Sequence, residues 1–308
     1  MLYAQLAHCV SLNDICDALN NHDKALLNMQ NATAPKRNTL SNANKTRDAQ
    51  FAQDLFWAIL NYLQSQCPSF SKDHNYKGKP HRFKRNVFAV DSSVIQLVAN
   101  CFPWAQHRRR KAAAKCHMKL NLETFLPSYA IIKEANTHDS TEAKEICGTL
   151  KPGEVVVFDK AYVDFDHLYH LHQKGVFWVT RMKDNMVYDI IEGQEFEDNI
   201  IKKDMRVKLH RDKSKEKFPE VFRIVEADVL VDNKVKRMSF ITNNLEWQPS
   251  SICELYKSRW AIEVFFKQMK QTLQLGDFFG HSKNAIEWQV WTALLAYVLM
   301  RFIAFQNQ

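Results

Sequence analysis

An α/β domain with a central sheet is the fold class this sequence predicts, and three observations predict it. Short apolar runs rich in strand-forming residues alternate with helical stretches; two of those runs end on an aspartate; and a later stretch carries strand signals with no helix between them. The third observation predicts a β-rich insertion within the α/β domain, and a small helical region precedes the whole. The 308 residues suffice for one large or two small domains. Hydrophobic residues at 46% and charged residues at 25% are ordinary globular proportions, which excludes a disordered chain. With only 7 Gly and 8 Pro, collagen-like and Pro-rich architectures are excluded too.

The helical region runs to about Gln66. Ser11-Leu12-Asn13-Asp14 has the form of a capping box ahead of apolar Ile15 and Leu19. Pro35 to Thr39 is a basic break, and residues 39–46 form a short polar helix that reads either as a DNA-groove element or as a solvated connector. Phe51, Leu55, Phe56, Ile59, Leu60 and Leu63 then recur at helical spacing. The accessory region is residues 1–68, and the polar stretch 69–80 is a linker.

The period changes after Arg82. Val87-Phe88-Ala89-Val90 is a buried-strand signal ending on Asp91. Arg108, Arg109, Arg110 and Lys111 lie in a loop-like stretch, residues 119–133 suggest a hairpin, and residues 141–150 a helix. Val155-Val156-Val157-Phe158 is a second buried strand, ending on Asp159. A helix over 165–173 and a strand over 176–180 complete the first part of the core, residues 81–183. Residues 184–237 are the β-rich insertion, with strand pieces at 186–191, 221–225 and 229–231 around the charged run 213–217. The second part, 238–308, rejoins the main sheet and carries one long helix over 250–275 and another over 285–305. The apolar stretch from Val290 is broken by Arg301 and reads as a buried helix, not a membrane span.

Net charge is +8, which favours a polyanionic partner. The seven cysteines contain no C-x-x-C pair, so neither a zinc ribbon nor a thioredoxin-type centre is indicated, and a reducing cytoplasmic compartment is the simplest home. Asp91 and Asp159 at strand ends stand where α/β sheets bind ligands, although either alone is more simply a solvated turn residue. On the helix from Ser250, Tyr256, Arg259, Glu263 and Lys270 fall within a stripe about 60° wide at about 100° per residue. The plainer reading of that stripe is a set of exposed i,i+4 ion pairs. Read with the two aspartates, Glu263 completes a set of three carboxylates. Such a set needs cations, and two Mg²⁺ ions about 4 Å apart suit phosphoryl transfer. Arg259, Tyr256 and Lys270 then grip phosphates of the same strand.

The spacing Tyr256-x2-Arg259-x3-Glu263-x6-Lys270, with VFAVDSS around Asp91 and VVVFDKAY around Asp159, resembles the bacterial DDE transposases with a Y-R-E-K signature, of the insertion-sequence-four type. The resemblance covers most of the chain. It implies a ribonuclease-H-like core with a β-rich insertion between the second Asp and the Glu, and cut-and-paste transposition. It implies that Asp91, Asp159 and Glu263 are the catalytic metal ligands, with two Mg²⁺ ions for which Mn²⁺ can substitute. It assigns DNA contacts to Tyr256, Arg259 and Lys270, and favours DNA-backbone contact for Arg108, Arg109, Arg110 and Lys111. The partners implied are double-stranded DNA, both the inverted-repeat element ends and the target, and a second copy in a synaptic homodimer, with no membrane. The setting is cytoplasmic and nucleoid-associated. Related enzymes stack a flipped base on an aromatic residue, for which Trp178 and Trp247 are open choices. Trp260 borders the stripe, Lys160 and Tyr162 are placed at the site edge, and Asp164 and Asp166 are rival acids to Asp159. Because family members carry more sequence on both sides, a shortened, inactive end-binding inhibitor stays open as an alternative, as does a plain nuclease on the same core.

Overall fold

The computed structural model describes residues 1–28, 31–72, 83–97, 106–108, 111–135, 139–197, 200–231, 233–273 and 278–307. It begins with α1 (Leu2–Leu6), α2 (Leu12–Asn20) and α3 (Asp23–Asn28). Ser11 Oγ accepts from the Asp14 amide at 3.1 Å, the expected N-cap, while the Asp14 carboxylate accepts from the Val10 amide at 3.1 Å, one residue before the position a capping box uses. The polar helix α4 (Arg37–Thr46) is docked on the final helix, α11 (Lys283–Gln306): Asn284 Nδ2 donates to Asn44 O at 3.1 Å and Arg47 O at 2.6 Å. Next, α5 (Gln50–Gln66) buries Phe56 and Leu60 against α11. Phe51, read as part of the core stripe, is 65% exposed and lies beside Trp288 at the surface. Residues 69–72 of the expected linker belong to a short turn whose Phe70 is buried against Phe302 and Phe305. Residues 73–80 lie outside the described residues.

Ten strands form one sheet: β1 (Val87–Leu97), β2 (Gln106–Arg108), β3 (Lys111–Asn121), β4 (Pro127–Glu134), β5 (Val155–Phe158), β6 (Phe177–Arg181), β7 (Tyr188–Glu195), β8 (Ile201–Leu209), β9 (Phe222–Val231) and β10 (Lys234–Thr242). The order β4-β3-β1-β5-β6 has β1, β3 and β4 antiparallel and β1, β5 and β6 parallel, which is the ribonuclease-H-like arrangement. The two apolar runs explain why this centre is continuous. Val87, Ala89, Val155 and Val157 enter one core, while Phe88, Val90, Val156 and Phe158 enter the other. With a side-chain period of two and helices on both faces, every residue of those runs is buried, as for central parallel strands. On one face pack α6 (Asp139–Cys147) and α7 (Phe165–Gln173); on the other pack α5, α11, α9 (Pro249–Ser258) and α10 (Trp260–Thr272). The helix α11 has the length and apolarity of a membrane span, and 56% of its most apolar window is buried inside the fold.

Four sequence expectations are corrected. Asp91 does not end its strand: β1 continues to Leu97 because β3 pairs with it from Phe88 to Leu97. The basic run is not a free loop: Arg108 ends β2 and pairs with Lys111 at the start of β3, while Arg109 and Arg110 lie outside the described residues. The insertion, where expected, extends the sheet outward, since β10 pairs with β9 along its length and with β6 at Phe240–Thr242, but it holds a strand that was not expected. Its strand β8 went unread because Ile201, Met205, Val207 and Leu209 are buried between charged neighbours. Finally, the helix expected over 250–275 is two helices that meet at Arg259.

Candidate active site

The parallel ladder of β1 and β5 ends at Val90–Phe158, so the next residue on each strand, Asp91 and Asp159, stands at the point where the two chains part. Beyond it β1 stays with β3, while Asp159 leads into a single tight turn at Lys160–Tyr162. Against this point the α9–α10 junction delivers the third acid. The Arg259 amide donates to Tyr256 O at 3.1 Å and the Ile262 amide to Arg259 O at 3.0 Å, both three residues back, which tightens one turn and separates the helices. Arg259 keeps helical dihedrals (φ −54°, ψ −32°), so Tyr256, Arg259 and Glu263 still share a side.

Arg259 binds two of the acids. Its Nη1 donates to Asp91 Oδ2 at 3.0 Å and its Nη2 to Glu263 Oε1 at 2.5 Å. Tyr256 joins the third, its hydroxyl donating to Asp159 Oδ1 at 3.1 Å, while its ring lies 5.5 Å from the Arg259 guanidinium. Burial pushes the Asp91 carboxyl up to about 6. Arg259 and the Ser92 amide oppose that rise, and the charges of Glu263 and Asp159 add to it. Asp91, Ser92, Ser93, Glu263, Lys267 and Lys270 line a cleft of about 330 Å³ between β1 and α10. Lys270 Nζ donates to Val94 O at 2.9 Å, tying α10 to β1. The carboxylate oxygens suit a hard divalent cation in kind. In arrangement they do not hold one: among the described residues no three His, Cys, Asp or Glu side chains are grouped for a metal ion, and the guanidinium stands between Asp91 and Glu263.

Several neighbours resolve differently from expectation. Trp178 is 1% exposed, its Nε1 bonded to Leu168 O, so it cannot receive a base. Trp247 packs against Phe83 and Phe177. Trp260 is 63% exposed beside Arg259 and has no packing role there. Tyr162 is a core residue, not an edge residue. Lys160 pairs with Asp184 at 2.9 Å. Asp164 caps α7 through the His167 amide and Asp166 pairs with Lys144, so both rival acids have structural partners.

Behind Asp91 lies a part-buried network that no sequence pattern announced. Asp139 Oδ1 accepts from Ser92 Oγ at 2.8 Å and Lys115 Nζ at 3.2 Å, and lies 3.6 Å from His117 Nδ1. These residues come from β1, α6 and β3, and only Ser92, in VFAVDSS, lies within a quoted motif. Burial lowers the pKa values of His117 and of His167, beneath α7, to about 4 each. A base whose folded value lies below its unfolded one takes up its proton first in the unfolded chain, so stability falls as pH drops from about 6.5 to about 4. Each histidine therefore removes about 2 kcal/mol between pH 7 and pH 5, and Asp91, raised in the same window, returns about 1 kcal/mol. Urea midpoints at the two pH values test this. His167→Leu, which replaces a ring whose two nitrogens are buried and unpartnered, is expected to flatten the dependence by about 2 kcal/mol.

Residues 82–299 match the family model described as transposase DDE domain. The chain is 25% identical over 274 residues to a probable transposase for insertion sequence element IS5377 of Geobacillus stearothermophilus, covering 83% of this chain and 65% of that protein. It is 28% identical over 283 residues to the putative transposase y4zB of Sinorhizobium fredii, covering 89% and 73%. It is 22% identical over 246 residues to transposase InsG for insertion sequence element IS4 of Escherichia coli, covering 74% of this chain and 54% of that protein. The chain thus spans between about half and three-quarters of the length of these relatives. A piggyBac transposase synaptic complex with hairpin DNA overlays on it with a TM-score of 0.43 at 9% identity, covering 100% of this chain and 76% of that one, too loose a likeness to carry an argument.

Proposed function

Because the chain belongs to the transposase DDE-domain family, we propose that it is a DNA transposase that cuts the ends of an insertion sequence and joins them to target DNA. The observation that carries this reading is the convergence of Asp91, Asp159 and Glu263, drawn from two strands and a helix, on the Arg259–Tyr256 pair. Asp91, Asp159 and Glu263 are the residues that would hold two divalent cations, Mg²⁺ with Mn²⁺ as a substitute, which requires Arg259 to give up its bonds to Asp91 and Glu263. Bound there, the metal would supply charge neutralisation at phosphorus for in-line displacement by water or by a 3′-OH. Arg259, Tyr256 and Lys270 hold the phosphates beside the cut, with Arg259 taking up a phosphate through its planar fork. Arg108, Arg109, Arg110 and Lys111 contact the DNA backbone, which makes binding steeply salt-dependent. Residues 1–68 aid end recognition, two copies pair the ends, and the reaction takes place in the cytoplasm at the nucleoid.

Labelled DNA carrying the element's inverted repeats, incubated with the protein and Mg²⁺, tests the reading. Joined products are expected. Nicks without joining point to a plain nuclease, and a stable uncut complex points to an end-binding inhibitor.

A further inference from the structure

The Arg259 side chain spends both arms of its fork on acids that are, on the reading above, the ligands of a divalent cation. Asp91 Oδ2 takes Nη1 and Glu263 Oε1 takes Nη2. The three side chains are 13%, 18% and 33% exposed, so little water screens the clamp. The guanidinium is held over the Tyr256 ring, 5.5 Å from its centre, and Nε is buried without a partner, so its place costs one unsatisfied donor. A guanidinium bridging two carboxylates cannot at the same time present its fork to a phosphate. The two uses exclude each other.

We propose that Arg259 is a built-in counter-ion that competes with the divalent cation for Asp91 and Glu263, and that a DNA phosphate releases it. The proposal rests on the assignment of those acids as ligands. Charge decides the order of events. Asp91, Glu263 and Arg259 together carry one negative charge. Adding a phosphate alone leaves two negative charges in a partly buried site, and adding the cation alone leaves it confronting the displaced guanidinium. Adding one phosphate and one divalent cation leaves none, counting only the three groups of the bridge. DNA and the cation therefore enter cooperatively, and each raises the affinity for the other by the same factor.

Titration calorimetry with Mn²⁺ on the full chain tests the competition, using wild type, Arg259→Gln, Glu263→Gln and the double variant, each checked for an intact melting transition. Without DNA, Arg259→Gln is expected to bind Mn²⁺ at least about tenfold more tightly than wild type, and Glu263→Gln in that background is expected to abolish the gain. Equal affinity in wild type and Arg259→Gln, or binding by neither, overturns the proposal. In the first case, weakening by Glu263→Gln in both backgrounds still leaves the ligand assignment standing. Mn²⁺ binding indifferent to Glu263→Gln in every background sinks that assignment instead. Should Arg259→Gln fold poorly, Arg259→Lys serves, because a single ammonium cannot reproduce the two-armed bridge, and a smaller gain is expected. A short duplex of mixed sequence, corrected for Mn²⁺ taken up by the duplex alone, is expected to reproduce the gain in wild type but not in Arg259→Gln. No gain in wild type overturns release by DNA.

Discussion

Replacing Glu263 with Gln is expected to slow strand cleavage by at least about a thousandfold while leaving DNA binding within a few-fold of wild type. The basis is the proposed role of Glu263 as a metal ligand. Metal-borne charge stabilisation at a phosphoryl centre is worth several kcal/mol, and each 1.36 kcal/mol is a factor of ten in rate. Gln preserves the volume and helix propensity of Glu but not the charge. Arg259 keeps its bond to Asp91, and Lys270 keeps its bond to Val94, so α10 stays seated on β1. Single-turnover cleavage of labelled end DNA, with a binding titration on the same DNA, separates the two effects. Cutting at the wild-type rate refutes the assignment.

Removal of the Arg223 guanidinium is expected to cost about 3–5 kcal/mol of folding stability, the largest loss predicted for any polar group away from the site. Arg223, 5% exposed in β9, donates from Nε and Nη2 to the two oxygens of Asp204 in β8 at 2.6 Å each, and from Nη1 to Trp247 O at 2.5 Å. Alanine leaves Asp204 as an unpaired, largely buried charge and leaves the Trp247 carbonyl without this donor. Replacing both partners with apolar residues of similar size, Arg223→Met with Asp204→Leu, is expected to recover most of the loss, because the desolvation cost disappears with the pair. Urea denaturation of the single and double variants measures both. A single variant within about 1 kcal/mol of wild type shows the pair to be dispensable. Trp247 lies just ahead of α9, which carries Tyr256, so this one residue fastens the insertion to the segment that leads into the site.

What the sequence made legible was whatever had a local period. The four-residue runs before Asp91 and Asp159 are buried on both faces, so their apolarity announced them. The Tyr256-Arg259-Glu263 side of the helix was readable because i,i+3 and i,i+4 neighbours share a face. What it hid depends on partners far away in the chain. The strand around Asp91 looked finished because Asp91-Ser92-Ser93 is polar, yet β3 supplies hydrogen bonds that polarity does not reveal. The break at Arg259 leaves its dihedrals helical and so leaves no mark on the helical pattern. Phe51 fits the apolar stripe of α5, yet it meets Trp288 at the surface and stays 65% exposed. Asp139 reaches Ser92 across 47 positions, a separation at which no motif signals contact.

The clamp at Arg259 joins residues 168 positions apart, and the Tyr256–Asp159 contact spans 97. Contacts of such long range close late, because the loop entropy must be lost before they form. During synthesis, a ribosome that has released everything through β10 still holds back the helix that brings Glu263 to the aspartates. A chain released only through β10 thus has both aspartates and lacks the helix that carries Glu263 to them.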